Sequence, residues 1–142
     1  MLGSEQELKE NFVKTGQVRM LFNPVLNHGN RSLQTHQAAE CAAEQGQFWA
    51  YREHLFANQG RLWSGDVREA VKALAVEMAL DTASFNACLD EQRHLALIQG
   101  QDSRRIQRGI RFQPSFEINE EFLLGSQPYD TFKQVIESHL GF

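Results

Sequence analysis

Cysteine is scarce in this chain: its 142 residues hold two, Cys41 and Cys88, 47 positions apart. No C-x-x-C exists, so the sequence offers neither a local redox pair nor half of a zinc site, and two cysteines cannot build a disulfide framework. A Cys41–Cys88 bridge has no local support in the sequence. Positive charge is also short. Lys and Arg number 14 against 18 Asp and Glu, a net charge of −4. No global field would draw in nucleic acid or acidic lipid. No apolar run approaches the ~20 residues that a membrane span needs. The N-terminal stretch "MLGSEQELKENF" lacks the hydrophobic core of a signal peptide. As written, the chain reads as cytoplasmic, or as extracytoplasmic if its natural N-terminus is longer. The five histidines (His28, His36, His54, His94 and His139) form no H-x-x-x-H pair and no metal spacing with carboxylates. Neither a metal nor a cofactor is expected, and no G-x-S-x-G, P-loop or dinucleotide-binding glycine pattern appears.

What is present is an ordinary globular composition, 42% apolar and 23% charged, of a length that fits one domain. Residues 5–15 read as a helix ended by Gly16. In "QVRMLFNPV", Val18, Met20 and Phe22 alternate with Arg19 and Leu21, which predicts a strand over 17–23 stopped by Asn23-Pro24. Helical patterns follow in succession. Asn30 or Ser32 can cap a helix running to about Gln45 with Ala38, Ala39, Cys41 and Ala42 on one face. A second, from Phe48, carries Tyr51, Leu55 and Phe56. A third starts at Ser64 or Asp66 and buries Val67, Val71, Leu74, Ala75 and Met78. Asp81 caps a short fourth with Phe85, Cys88 and Leu89, and Leu95 to Arg108 forms a fifth. The basic stretch "SRRIQRGIR" suits a helix C-terminus terminated at Gly109.

The segment "PSFEINEEFLLG" reads as a hairpin. Phe116 and Ile118 point to one side, Asn119-Glu120 makes the turn, and Phe122 to Leu124 return. Asn tolerates φ > 0 where Glu does so poorly. A closing amphipathic helix has Pro128 in its first turn and Phe132, Val135, Ile136 and Leu140 inward. Cys41 stands either as a reactive thiol or as a small apolar side chain. His36, five residues away, does not share its helical face. The pattern favours a buried Cys41 packing between helices, slow to react with thiol reagents.

Several ordered segments carry a resemblance: "FVKTGQVRMLF", "AAECAAEQGQFWAYREHLFANQ", "LDTASFNACLD", "GIRFQPSFEIN" and "LLGSQPYDTFKQVI". Over about nine tenths of its length the chain resembles the DsbA-like branch of the thioredoxin superfamily, especially its thioredoxin-like four members. The resemblance implies an α/β, thioredoxin-like fold of DsbA type, one domain over 1–142 with a helical insert at about 32–108. It also implies thiol-disulfide oxidoreductase ancestry and a cis proline matching Pro114. Gln113 and Pro114 would then offer backbone to an extended polypeptide substrate. Relatives carry an N-terminal strand and a C-x-x-C whose thiolate exchanges disulfides. This chain has neither, which implies a truncated small sheet and no catalytic residue. Cys41 and Cys88 match insert cysteines, not the redox pair. Two readings follow: a redox-inactive domain that retains polypeptide binding near Pro114, or a fragment of an active disulfide oxidoreductase. The missing strand should leave 17–23 unpaired from the Phe116 strand, and a homodimer sharing a sheet or core face would repair this.

Overall fold

The structure, a computed structural model, describes residues 2–141. The chain folds as two compact units, one made of residues 2–22 with 105–141 and the other of residues 23–104.

The second unit is all helical. Helices α2 (Asn30–Ala43), α3 (Phe48–Ala57), α4 (Gln59–Trp63), α5 (Val67–Glu77) and α6 (Thr82–Asp90) surround one apolar core. Tyr51, Val71, Leu74, Phe85 and Leu89 are fully buried at its centre. These are the three- and four-residue steps that the sequence shows, so the apolar stripes became the packed faces. Asp66 caps α5, accepting from Arg68 N–H at 2.8 Å and Glu69 N–H at 3.3 Å. Asp81 caps α6, accepting from the Ser84 N–H at 3.1 Å. Each cap satisfies donors that a helix start leaves orphaned. Helix α2 departs from expectation. It starts at Asn30 after Gly29 (φ +57) without a side-chain cap, and Ser32 Oγ instead accepts from His28 N–H at 3.0 Å. Gly46, at φ +72, ends it, with the Gln47 N–H reaching back to Ala42 C=O at 2.9 Å. Tyr51 Oη donates to the Val71 carbonyl at 2.7 Å, so its buried hydroxyl is satisfied.

The first unit holds α1 (Leu2–Leu8), a π-helical turn (Lys9–Val13), β1 (Ser115–Ile118), β2 (Glu121–Leu124) and α8 (Tyr129–Leu140). Leu8, Phe12, Phe132 and Ile136 form its core, with Phe116, Ile118 and Leu123 laid against them from the hairpin. Phe116 meets Phe132 edge-on at 4.7 Å between centroids. Leu140, expected inward, is exposed. Helix α7 (Leu95–Gln107) belongs to the helical unit as far as Arg104 and ends at Gly109 (φ +74). The arginines after that point do more than suit a helix dipole. Arg105 Nη1 donates to Ile110 C=O at 2.7 Å, and Arg108 holds both oxygens of Glu117 at 2.7 and 2.9 Å.

The sheet differs from expectation in one respect. Residues 17–23 form no strand, and the sheet of the described residues has two strands in the order β1-β2. Val18, Met20 and Phe22 are still half-buried and alternate with exposed Arg19 and Leu21, and Val18 and Met20 pack on the core of this unit. The side-chain alternation of a strand is therefore present while its ladder is not. A strand exists by pairing, and neither β1 nor β2 pairs with this segment.

Candidate functional site

Gln113 and Pro114 enter β1 directly, and the peptide bond between them is cis. The hairpin's register is Ser115↔Leu124, Phe116↔Leu123, Glu117↔Phe122 and Ile118↔Glu121. Asn119 takes φ +54 in the turn, the position that Asn accepts and Glu would resist. A two-residue turn makes its flanking pair, Ile118 and Glu121, exchange both backbone hydrogen bonds, and such pairs recur every second residue. Phe116↔Leu123 is the next, and the Pro114 carbonyl accepting from the Gly125 N–H at 2.8 Å continues the alternation. The N–H and C=O groups of Ser115 and Glu117 therefore point to the opposite edge of β1. Among the described residues no strand pairs with that edge.

Apolar side chains stand exposed at the entry to β1 and on the hairpin's outer face. Phe112, one residue before Gln113, is 67% exposed, and Phe122 and Leu124 stand exposed on the hairpin's outer face. Arg108 lies 5.3 Å from the centroid of the Phe122 ring while bridging to Glu117. That guanidinium holds the Glu117 carboxyl below its usual range. The site combines free backbone donors and acceptors with exposed aromatic and aliphatic side chains. That is the equipment for adding an extended peptide to a sheet edge.

The two cysteines lie elsewhere, in the helical unit, and here the sequence reading needs correction. Cys41 is buried as expected, at 1% exposure, but it is not a thiol: Cys41 and Cys88 are joined in a disulfide. Cys41 sits on α2 and Cys88 on α6, 47 residues apart, and both helices turn these positions into the same core. The available signal was the coincidence of two cysteines on two apolar helix faces. It carried no weight without knowing that those faces meet. Around the bridge, one His94 ring nitrogen lies within 4.8 Å of both sulfurs. His94 Nε2 is 2.8 Å from Glu44 Oε1, and Arg93 Nη1 donates to Glu44 Oε2 at 3.0 Å. Sequence spacing gave no hint of this group.

A hairpin entered through Pro114, a closing amphipathic helix and a disulfide-linked helical unit inserted in the sequence at residues 23–104 define a thioredoxin-like protein. A family model described as Thioredoxin matches residues 2–138, so the chain belongs to the thioredoxin family. The chain is also similar to a Na(+)/H(+) antiporter NhaA of Herminiimonas arsenicoxydans, 29% identical over 102 residues. That match takes in 72% of this chain and 16% of the antiporter. Among the described residues no helix is long and apolar enough to cross a membrane.

Proposed function

We propose that this chain is a DsbA-like domain that binds extended polypeptide along β1, beside Gln113 and Pro114, without C-x-x-C thiol chemistry. The observation that carries this reading is the unpaired β1 edge, where the backbone of Ser115 and Glu117 faces outward next to exposed Phe112. A peptide laid there gains main-chain hydrogen bonds for affinity, and exposed Phe112 at the entry to the strand adds apolar contact for selectivity. The 142 residues contain no C-x-x-C, and both cysteines are held in the buried Cys41–Cys88 bridge. Without polypeptide, a second copy covers the same edge, so the free chain is a homodimer that a peptide ligand dissociates.

Amide hydrogen exchange tests the binding. Ser115 and Glu117 amides should exchange faster than those of Phe116 and Ile118, and an unstructured apolar peptide should slow the first pair specifically. Equal exchange at all four positions, unchanged by peptide, would refute the edge as a binding site.

A second reading rests on the segment around Val18 and Met20, which has a strand's alternation but lies outside the two-stranded sheet of the described residues. In that reading the domain is part of a larger disulfide oxidoreductase whose catalytic strand is supplied outside this chain. An in-frame strand and C-x-x-C in the DNA upstream of Met1 would favour it; a stop codon there would exclude it.

A further inference from the structure

We propose that Cys41, Cys88 and His94 form, once their disulfide is reduced, a binding site for a thiophilic divalent cation such as zinc, so that the bridge is the metal-free state of a redox-controlled site. Two thiolates and an imidazole are a ligand set that zinc accepts, with the fourth position taken by water. The three ligands come from different parts of the helical unit, α2, α6 and the turn before α7, so the fold and not a sequence motif assembles them.

The geometry is close to what a metal needs. Zinc–sulfur bonds of about 2.3 Å in a tetrahedron place two sulfurs about 3.7 Å apart. The Cα atoms of Cys41 and Cys88 are 5.8 Å apart, so rotation about the Cα–Cβ bonds can open the sulfurs to that spacing without moving either helix. A His94 ring nitrogen within 4.8 Å of both sulfurs needs to approach by about 1 Å. His94 sits on a turn with its side chain 22% exposed, so it has room to do so.

The surroundings complete the site. Metal-bound histidines donate their other ring N–H to a carboxylate, which fixes the tautomer and raises the basicity of the ligand nitrogen. Glu44 Oε1 lies 2.8 Å from His94 Nε2, so a metal bound through Nδ1 would leave Nε2 to donate to that carboxylate, which Arg93 holds in turn. A purely structural disulfide needs none of these three residues. Cys41 and Cys88 are shielded at 1% and 0% exposure, while His94 and Glu44 open to solvent and give a cation its path.

The chemistry balances. A dithiol reductant gives two electrons and two protons to the Cys41–Cys88 bond, breaking it into two thiols and becoming a disulfide itself. A divalent cation then binds two thiolates and neutral His94, releasing two protons. Hydrogen peroxide reverses this: it takes two electrons from the thiolates and, from solution, the two protons that metal binding released, yields two waters, reforms the bridge and frees the metal.

Cobalt(II) titration of the reduced chain, followed by absorbance and far-ultraviolet circular dichroism, tests the site. Expected is one cobalt per chain with a thiolate-to-cobalt charge-transfer band, absent from the oxidised chain, abolished by Cys88→Ser, and displaced by zinc. His94→Ala should weaken cobalt binding at least tenfold and Glu44→Gln about tenfold. No band from a reduced, folded chain, or a band that survives Cys88→Ser, overturns the proposal. Should reduction unfold the helical unit, one equivalent of zinc must restore its helical dichroism, and failure to do so overturns the proposal equally.

Discussion

Cutting the Cys41–Cys88 bridge should lower the stability of the helical unit by about 4 kcal/mol. The link closes a loop of 47 residues in the unfolded chain. In the chain-entropy description, opening such a loop returns about 14 cal/mol/K to the denatured ensemble, or about 4 kcal/mol at 25 °C. With a urea dependence of about 1.5 kcal/mol/M, the unfolding midpoint should fall by about 2.7 M on reduction. Native domains hold only about 5–15 kcal/mol in total, so this loss is a large share of what holds the unit folded. Trp49 and Trp63 both lie in this unit, so tryptophan fluorescence reports its unfolding. The comparison is urea titration of the oxidised chain against the same chain in excess dithiol, both with chelator present to keep metal out. Reduction deletes no side-chain heavy atom, so the shift measures the cross-link and not a cavity. A midpoint change below about 0.5 M would refute the reasoning, since it would mean that the unfolded loop gains almost nothing when opened.

Three further outcomes follow from particular contacts. Tyr51→Phe removes the hydroxyl that donates to Val71 C=O and should cost about 1 kcal/mol in urea unfolding, where an unchanged midpoint would show the bond to be idle. Burial holds the His36 imidazole below its ordinary value of 6.5, so the unfolded chain takes up a proton that the folded chain resists. This contribution is full above 6.5 and is lost as pH falls from there through the lowered folded value. Urea midpoints should therefore drop more between pH 7.5 and 5.5 for the natural chain than for His36→Gln, and equal drops would count against it. Light scattering at micromolar concentration should give the mass of two chains, reduced to one by saturating apolar peptide; a monomer throughout would contradict edge pairing between copies.

The helical unit was the most legible part of the sequence. The steps Val67–Val71–Leu74 and Phe85–Cys88–Leu89 are fixed by the 3.6-residue turn, and Asp66 and Asp81 are short polar side chains where orphan N–H groups need acceptors. The hairpin was legible for a similar reason, through alternation and an Asn able to take φ +54. The 17–23 segment was half legible. Its side chains alternate as a strand's do, but a ladder needs a partner that no local pattern reports. The disulfide and its His94–Glu44 neighbours were not legible, because residues 41, 44, 88 and 94 meet only when α2 packs on α6. The site at Gln113 and Pro114 came from family resemblance, and its physical basis, the outward backbone of Ser115 and Glu117, appears only once the register is known.

Insulin reduction by a dithiol, followed by turbidity, bears most directly on the central claim that the domain binds polypeptide without exchanging disulfides. The chain should leave the rate at that of the dithiol alone, and Cys41→Ala should change nothing. Clear acceleration that Cys41→Ala abolishes would contradict the claim and make the buried bridge a catalytic couple.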